Sequence, residues 1–491
     1  MMQKVGAADD PASGIIAAFN GRTPGSKRAA TENRKVLSDK SLIGPAFTPQ
    51  MKEALYPIVV NRAEGAHLWD IDGNRYVDIL MGLGTNLFGH NPPFIRAAIE
   101  EQLEKGFAIG PQAELAGETA ALFCQLTGKE RVTFSNTGTE AVMTALRVAR
   151  AATGRRRIAV FSGAYHGHSD QVLNKSRRIE FIRRGALARD HPAILKALQP
   201  ILRRFQLTQP VPAFPGVSPS TAGDVLMLEY GNPRSLDILR RKAGSLAGIL
   251  VEPVQSRMLE LQPAAFLRDL RDIANHADLP LIFDEMISGF RVAPGGAQEA
   301  FGIEADLAVY GKIAGGGLPL SLIAGSNRYM DCIDGGSWSY GDASAPSTPT
   351  TFFAGTYCRH PLALAAARAA AHHLLDEGPG LQSSLNARTQ ALVQRLDRSA
   401  AERGLPIGFT CFGSFFHIAT SRSALPQHSL QLLSLLLLTR GVHLRVGDKG
   451  GFLSTAHSET QITEIHDAFV ESLETLADCG LIERKSGANA K

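Results

Sequence analysis

The sequence predicts an α/β fold with a largely parallel sheet, and two observations lead to that prediction. At 491 residues and 44% hydrophobic content, the chain is long enough for about two or three domains with sizeable cores. From residue 157 onward, apolar runs alternate with stretches of helical pattern, which is typical of strands buried on both faces of a parallel sheet. The predicted strands are RIAVFSGAY (157–165), DVLMLEY (224–230), LAGILVEP (246–253), LPLIFDE (279–285), ADLAVYG (305–311) and LIAGS (322–326).

The region before the predicted sheet has two features of its own. Residues 1–40 are polar and rich in Gly, Pro, Ser and Lys/Arg, so we expect a flexible arm or linker there. The folded part then begins near Leu42. The stretch HLWDIDGNRYVDIL (67–80) places an Asp-Gly-Asn turn between alternating apolar residues, which predicts a β-hairpin.

Composition and charge exclude several classes of protein. A net charge of +4, with Lys+Arg 51 against Asp+Glu 47 spread along the chain, gives no nucleic-acid footprint. The five cysteines are far apart and show no paired spacing, so we expect no metal site and a reduced compartment. The N-terminus lacks an apolar signal region, and SLQLLSLLLLTRG (429–441) is too short to span a bilayer. We therefore expect a cytoplasmic protein without a membrane partner.

The first candidate functional residues lie in FSNTGTEAVMTALRVARAATG (134–154). In parallel sheets the chemistry is found at the carboxyl ends of strands. Here a polar turn containing Thr137, Gly138 and Thr139 opens an amphipathic helix. Exposed helix amides, a glycine that permits close approach and two hydroxyls together form a phosphate cradle. The alternative is that Thr137 only caps the helix.

Three further strand ends carry chemistry-bearing side chains. Tyr165 offers a flat aromatic ring after one strand, although a core tyrosine is the alternative. Asp284 follows five apolar residues and needs a cationic partner, for which a pyridinium nitrogen is one candidate. Lys312 stands between a strand and a run of glycines, where a solvated lysine is the alternative. Together with the cradle, these residues match what pyridoxal phosphate requires: a lysine for its aldehyde carbon, an acid for its ring nitrogen and an anchor for its phosphate.

Several motifs resemble those of the class III pyridoxal phosphate aminotransferases, including the glutamate-1-semialdehyde aminomutase branch. The motifs are SNTGTEA, AYHGHSD, VEPVQ, DEMISGFR, GKIAGGGLP, FAGTYCRHPLALAAA and FLSTAHS, in order from about residue 40 to the C-terminus. The resemblance implies fold type I, with a seven-stranded, mostly parallel sheet in a large cofactor-binding domain over 86–365. A smaller α+β domain would combine 41–85 with 366–491. The resemblance also implies a homodimer with shared active sites.

The resemblance also implies roles for single residues. Lys312 would bond the cofactor, Asp284 would meet the ring nitrogen, and Tyr165 would stack on the ring, so these three are the expected catalytic residues. Met286 would cover the other face of the ring, and Thr356 would reach the phosphate of the neighbouring subunit. The remaining expected cofactor-binding residues are Thr137, Gly138, Thr139, His166 and Glu252.

The implied activity is transfer of an amino group from an amino-acid donor to a carbonyl acceptor. The chain departs from the aminomutase pattern at Arg257, where that branch has a small polar amide, and at Asp448 and Lys449, where it has an acidic loop residue. GLGTNLFGHNPPFI and VEPVQSRMLELQP look like aminotransferase domains of hybrid polyketide/peptide synthetases. That likeness implies natural-product biosynthesis with a β-ketoacyl acceptor on an acyl carrier protein, or a related lipid-like ketone or aldehyde.

Other activities stay open as alternatives. The chain could be an aminomutase of the glutamate-1-semialdehyde type, or an omega-aminotransferase acting on a free small aldehyde. A non-catalytic regulator would need a DNA-binding module, and the first forty residues are too few and too broken by Gly and Pro for one. Residues 174–204 carry nine Lys/Arg against Glu180 and Asp190, which favours either a face that docks an acidic carrier protein or an ordinary solvated face.

Overall fold

The computed structural model describes residues 10–39, 47–176 and 210–484. The chain divides into two compact units, of which the larger is Phe94–Gly380 and the smaller combines Met1–Pro93 with Leu381–Lys491. The strands are β1 Val60–Glu64, β2 His67–Asp70, β3 Arg75–Asp78, β4 Arg131–Ser135, β5 Arg157–Ser162, β6 Asn174–Ser176, β7 Pro210–Pro212, β8 Val225–Glu229, β9 Leu246–Val251, β10 Leu281–Asp284, β11 Leu307–Tyr310, β12 Ser321–Gly325, β13 Phe409–Phe412, β14 Phe415–Ile418, β15 Val442–His443 and β16 Gly450–Phe452.

The α-helices of the described residues alternate with these strands. They are α1 Pro11–Arg22, α2 Pro24–Asn33, α3 Met81–Gly84, α4 Pro93–Lys105, α5 Leu115–Thr127, α6 Gly138–Thr153, α7 Pro233–Lys242, α8 Ala264–Ala277, α9 Ala297–Phe301, α10 Asn327–Asp334, α11 Pro361–Glu377, α12 Pro379–Glu402, α13 Gln427–Thr439 and α14 Glu459–Asp478.

A seven-stranded sheet forms the centre of the larger unit, in the order β4-β12-β11-β10-β9-β5-β8. β12 runs antiparallel to both its neighbours, while β8, β5, β9, β10 and β11 pair in parallel ladders. Every residue of β9, β10, β11 and β12 is buried, as the continuous Val/Ile/Leu runs predicted. The predicted α/β fold with a mostly parallel seven-stranded sheet is confirmed.

The parallel ladder of β10 and β11 decides where the chemistry lies. Asp284, the last residue of β10, is in register with Val309 of β11. Lys312 follows two residues after β11 ends at Tyr310. Because the two strands run in the same direction, Asp284 and Lys312 emerge at the same edge of the sheet.

The smaller unit contains the predicted hairpin. β2 pairs antiparallel with β3 in the register His67 to Val77, so the Asp-Gly-Asn segment forms the turn between them. β1 extends this sheet on one side and β15 on the other, in the order β1-β2-β3-β15. A second small sheet has the order β13-β14-β16.

The N-terminal segment corrects the prediction of a flexible arm over residues 1–40. Residues 11–33 form helices α1 and α2, and α1 packs against α13. Asp10 caps α1, and Ile15, Ile16 and Phe19 are buried on one face of it. The prediction failed because it used the average composition of the first forty residues, which is polar. The apolar stretch IIAAF within them has the spacing that gives a helix one apolar face.

The unit boundaries lie later in the chain than predicted, at 93/94 and 380/381 instead of 85/86 and 365/366. The reason for the second shift is helix α11, which packs against α5 and against the turn Lys312–Gly315 of the larger unit. An added Cβ on Gly316, just after that turn, would lie 2.7 Å from the carbonyl oxygen of Ala366 in α11. Helix α11 therefore belongs with the lysine turn.

Two further stretches singled out in the sequence have different outcomes. The leucine-rich stretch forms α13, whose leucines are all buried in the smaller unit. Within the described part of the chain, no helix is long and apolar enough to cross a membrane. The basic segment 174–204, for which a docking face and an ordinary solvated face were the alternatives, lies outside the described residues from residue 177 onward.

Candidate active site

A buried carboxylate and a buried imidazole form the floor of the candidate site. Asp284 Oδ2 lies 2.7 Å from His166 Nδ1, and both residues are at most 5% exposed. The other carboxylate oxygen, Oδ1, accepts a hydrogen bond of 3.1 Å from the backbone N–H of Met286. These contacts fix the plane and position of the Asp284 carboxylate.

Lys312 is held in an unusual backbone conformation directly after β11. Its φ of 48° lies in the left-handed region, which costs a residue with a side chain roughly 1–2 kcal/mol. A short 3₁₀ turn, Lys312–Gly315, fixes it there. Burial lowers the pKa of the Lys312 ammonium, while the negative charges of Asp284 and Glu252 oppose that shift. A lysine in this environment is a ready nucleophile and proton carrier.

Glu252 is a second buried acid at this edge of the sheet. It follows β9 directly, and its Oε1 accepts a 2.8 Å hydrogen bond from the backbone N–H of Ser256. Its Oε2 accepts from the backbone N–H of Tyr165 at 3.4 Å. Burial first, and then the charge of Asp284, raise the pKa of Glu252. This acid therefore takes up a proton more readily than an exposed glutamate does.

The N-terminus of helix α6 lies at the end of β4. Thr137 is its N-cap, and the Thr137 hydroxyl accepts a 3.2 Å hydrogen bond from the backbone N–H of Glu140. The Glu140 carboxylate in return accepts from the backbone N–H groups of Asn136 and Thr137. The helix cap that was the alternative for Thr137 is thus present. Because a hydroxyl that accepts a bond still carries its own hydrogen, Thr137 keeps a donor for an anion.

Thr139 joins this helix end to the loop that follows β5. Its hydroxyl accepts a 3.2 Å hydrogen bond from the backbone N–H of His168. The loop also carries Tyr165 and His166, so the cradle and the Asp284 partner are held together by one short segment.

Met286 packs against the two glycines that flank the cradle and the lysine. An added Cβ on Gly138 would lie 2.7 Å from Met286 Sδ, and an added Cβ on Gly311 would lie at the same distance from it. A side chain at either position would therefore displace the end of the Met286 side chain. Met286 is half-buried and packs against the core of the larger unit.

Tyr165 presents an open aromatic ring at the rim of the site. Its side chain is half-exposed, so the alternative of a core tyrosine is wrong. The guanidinium carbon of Arg257 lies 5.7 Å from the centre of the ring.

Thr356 is exposed in a loop of the larger unit. Two residues later in the same loop, the Sγ of Cys358 accepts a hydrogen bond of 3.7 Å from Asn136 Nδ2.

Two buried charged residues near the site were not among the predicted site residues. Glu285 accepts hydrogen bonds from Ser288 Oγ and from the backbone N–H groups of Ala297 and Gln298. Burial raises its pKa to about 7. Arg291 is 1% exposed, and burial lowers its pKa to about 9. An arginine inside the apolar stretch FRVAP was the available signal for Arg291.

Comparison with known proteins agrees with this geometry. Residues 48–423 match the class III aminotransferase family. A glutamate-1-semialdehyde 2,1-aminomutase of Chloroflexus aggregans is 33% identical over 442 residues, which cover 84% of this chain and 91% of that protein.

Solved structures extend the likeness over nearly the whole chain. An omega-transaminase from Sphaerobacter thermophilus has a TM-score of 0.77 at 28% identity and covers 93% of this chain and 99% of its own. A β-phenylalanine aminotransferase from Variovorax paradoxus has a TM-score of 0.77 at 26% identity, and the match covers 97% of this chain and 99% of that protein. The chain therefore belongs to the class III aminotransferases, fold-type I enzymes of nitrogen-group transfer that use pyridoxal phosphate.

Proposed function

We propose that this enzyme moves an amino group from an amino-acid donor to a carbonyl acceptor, with Lys312 as the residue that bonds the cofactor and moves the proton. The observation that carries the proposal is the placement of a buried lysine within electrostatic reach of two buried acids, Asp284 and Glu252. Lysine and acids stand at the carboxyl edge of one sheet, where α/β enzymes bind their ligands.

The residues at this edge suit pyridoxal phosphate. His166 Nε2 and the hydroxyls of Ser135 and Ser321 are buried without a hydrogen-bond partner among the described residues. Ser135 and Ser321 face each other across β4 and β12. Polar atoms buried in this way are costly unless a ligand or water meets them. The first backbone N–H groups of helix α6 have no partner inside the helix and favour a phosphate.

The proposed roles divide the residues among the parts of the cofactor. The amides of Gly138 and Thr139 and the Thr137 hydroxyl would bind the phosphate, and Tyr165 would stack on the ring. Asp284 would meet the ring nitrogen, while His166 holds the carboxylate in place. When bound, the cofactor supplies an aldehyde for the amino group and a ring that accepts electrons.

Three further residues complete the proposed set. Glu252, whose pKa is raised by burial and by the charge of Asp284, would contribute to cofactor binding from the end of β9. Met286 would cover the other face of the ring, and its sulfur lies against Gly138 and Gly311. Thr356, which is exposed, would bind the phosphate of a second copy in a homodimer.

Two acceptors are each favoured by a specific observation. A free small aldehyde or ketone agrees with the names of the similar proteins, an aminomutase and an omega-transaminase. A β-ketoacyl group on a carrier protein agrees with GLGTNLFGHNPPFI and VEPVQSRMLELQP. The family match supports amino transfer itself and not the carrier.

Substitution of the lysine tests the activity. Lys312→Ala should abolish the visible absorption of covalently held cofactor and essentially all transfer, because it removes the amine that is proposed to bond the cofactor. Purified protein reconstituted with pyridoxal phosphate is measured by absorption and by mass spectrometry of the products. A wild-type chain that takes up no cofactor, or a fully active Lys312→Ala, contradicts the proposal.

A paired assay separates the two acceptors. The same acyl group is offered on a carrier protein and as a small thioester, beside a panel of free aldehydes and ketones. A large advantage of the tethered form that shrinks with rising salt favours the carrier, because exposed charge pairing is screened over about 8–10 Å at physiological salt. Equal rates favour the free acceptor.

A further inference from the structure

A second cavity lies within the larger unit, at the opposite edge of the central sheet from the candidate active site. Its volume of about 690 Å³ falls within the roughly 300–1,000 Å³ of small-molecule sites. β4 and β11 both begin opposite Gly325 of β12, and the cavity is lined by residues just before these two strands, among them Lys129 and Asp306. The candidate active site lies at the carboxyl ends of the same strands. At about 3.3 Å per strand residue, β4 separates the two sites by roughly 15 Å.

Lys129 is a buried cation in the wall of this cavity. Gly128, the left-handed C-cap of α5, turns the chain so that Lys129 comes just before β4. Lys129 is 9% exposed, and its ion-pair partner is Glu304, whose Oε1 lies 3.8 Å from Nζ. This pair is loose, because a charged hydrogen bond is about 2.7–2.9 Å long and the Glu304 side chain is 86% exposed. Burying an ammonium is costly unless an anion lies close to it, and burial accordingly lowers the pKa of Lys129.

Two arginines of helix α8 line the same cavity. Arg268 is exposed and forms no ion pair with any of the residues that the structure describes. Arg271 Nη1 lies 2.6 Å from Asp306 Oδ2, which also accepts a 2.8 Å hydrogen bond from the backbone N–H of Leu281. Arg271 Nε is buried and has no hydrogen-bond partner in the described part of the chain. Three cations therefore line one cavity, and one of them keeps a buried donor unused.

Four acids also line the cavity, and the fold already uses two of them. Asp306 accepts the two bonds just described, and both carboxylate oxygens of Glu130 accept hydrogen bonds from Asn327, at 2.7 and 3.1 Å. The other two acids, Asp272 and Glu304, are exposed. Because water weakens the field of an exposed charge, these two carboxylates do not cancel a buried ammonium.

We propose that this cavity is a second binding site, for a small organic anion whose phosphate or carboxylate group is held by Lys129 and Arg268. Ammonium and guanidinium groups are the usual protein partners of such oxyanions, and Arg271 Nε offers one more donor. The cavity has room for more than a bare oxyanion, so the anionic group carries an organic part. The proposal goes beyond amino transfer and does not depend on it, since the cavity lies at the other edge of the sheet.

The test measures binding to the full chain loaded with pyridoxal phosphate, so that the phosphate cradle is already filled. Calorimetric titration uses glycerol 3-phosphate, inorganic phosphate and succinate as probes, with glycerol and succinamide as uncharged counterparts. Variants are Lys129→Met, Arg268→Gln and, as control, Lys242→Met, which removes an exposed lysine of α7 in the same unit. Urea unfolding and the rate of the donor half-reaction are measured for each variant.

The expected result is a loss of anion binding without damage to the fold or the active site. Lys129→Met and Arg268→Gln should each weaken binding of the charged probe by roughly 10- to 100-fold, because each removes a charged donor. Lys242→Met should bind as wild type, and the uncharged counterparts should not bind. Lys129→Met should be at least as stable as wild type in urea, since methionine fills a buried position without a charge, and its half-reaction should be unchanged. Binding of glycerol 3-phosphate without succinate identifies a phosphate ligand, and the reverse identifies a carboxylate.

Three results overturn the proposal and leave amino transfer standing. Wild-type holoprotein that binds none of the charged probes at millimolar concentration has no such site. Charged probes that bind Lys129→Met as tightly as wild type bind elsewhere on the chain, and if Lys129→Met does not fold, Arg268→Gln decides the same point. A donor half-reaction that falls together with anion binding in Lys129→Met assigns the anion to the active site instead.

Discussion

The hydrogen bond between His166 and Asp284 gives the sharpest test of the site. His166→Ala removes a 2.7 Å bond between two side chains that are at most 5% exposed. A hydrogen bond to a charged group contributes about 1.5–3 kcal/mol net. If that energy holds the carboxylate where the reaction needs it, the single-turnover rate of the donor half-reaction should fall by roughly 10- to 150-fold, since each 1.4 kcal/mol is about tenfold.

Two matched variants distinguish positioning from damage to the fold. His166→Asn places an amide N–H near the position of Nδ1, so it should recover part of the rate. His276→Ala removes an exposed histidine of the same unit, whose Nδ1 bonds the backbone oxygen of Asp272, and should leave the rate unchanged.

The assay is stopped-flow absorption under single-turnover conditions, with urea unfolding of each variant in parallel. A His166→Ala enzyme that folds normally and reacts at the wild-type rate is incompatible with a positioning role for His166. That role is also excluded if His166→Asn is as slow as His166→Ala while both retain wild-type stability.

Three further predictions concern neighbouring residues. Asp284→Asn should still bind the cofactor while the chemical step slows by orders of magnitude, and an unchanged single-turnover rate rejects its role. Thr356→Val should lower cofactor affinity in a protein that sediments as a dimer, and a fully active monomer contradicts the shared site. Burial raises the pKa of Glu285 from 4.5 to about 7, so between these pH values the folded state keeps a proton that the unfolded chain loses. The free energy of unfolding therefore falls as the pH rises from 4.5 to about 7. Glu285→Gln should remove this decline, on the order of 3 kcal/mol, in urea titrations at several pH values; an equal slope in both proteins excludes the effect.

Strand positions could be predicted because burial on both faces leaves a continuous apolar run. The run LPLIFDE contains β10, which ends at Asp284 as predicted. The run ADLAVYG contains β11, which ends two residues before Lys312. Strand direction could not be predicted in the same way. The antiparallel β12 has the same Val/Ile/Leu character as its parallel neighbours, since its burial is the same.

Contacts between residues far apart in the sequence could not be predicted from local sequence patterns. His166 and Asp284 are 118 positions apart, so nothing in either local stretch indicates that one donates to the other. The sequence predicted a cationic partner for Asp284, with a pyridinium nitrogen as one candidate, and did not indicate His166. Helix α1 is the opposite case, because its apolar face is formed by residues close together in the sequence. It was missed because the prediction used the average composition of residues 1–40.

Met286 shows why residue roles need the folded chain even where a motif is clear. The motif places a methionine directly after the two strand-end acids, and the resemblance gives it a face of the cofactor ring. In the fold, its sulfur lies against the positions where Gly138 and Gly311 would carry a Cβ. One side chain thus packs against both the N-terminus of α6 and the residue before Lys312. Because its sulfur is near the far end of a flexible side chain, a larger residue at either glycine would displace Met286 first. The glycines of SNTGTEA and VYGKIAG therefore meet the same side chain, although the sequence presents them as two separate motifs.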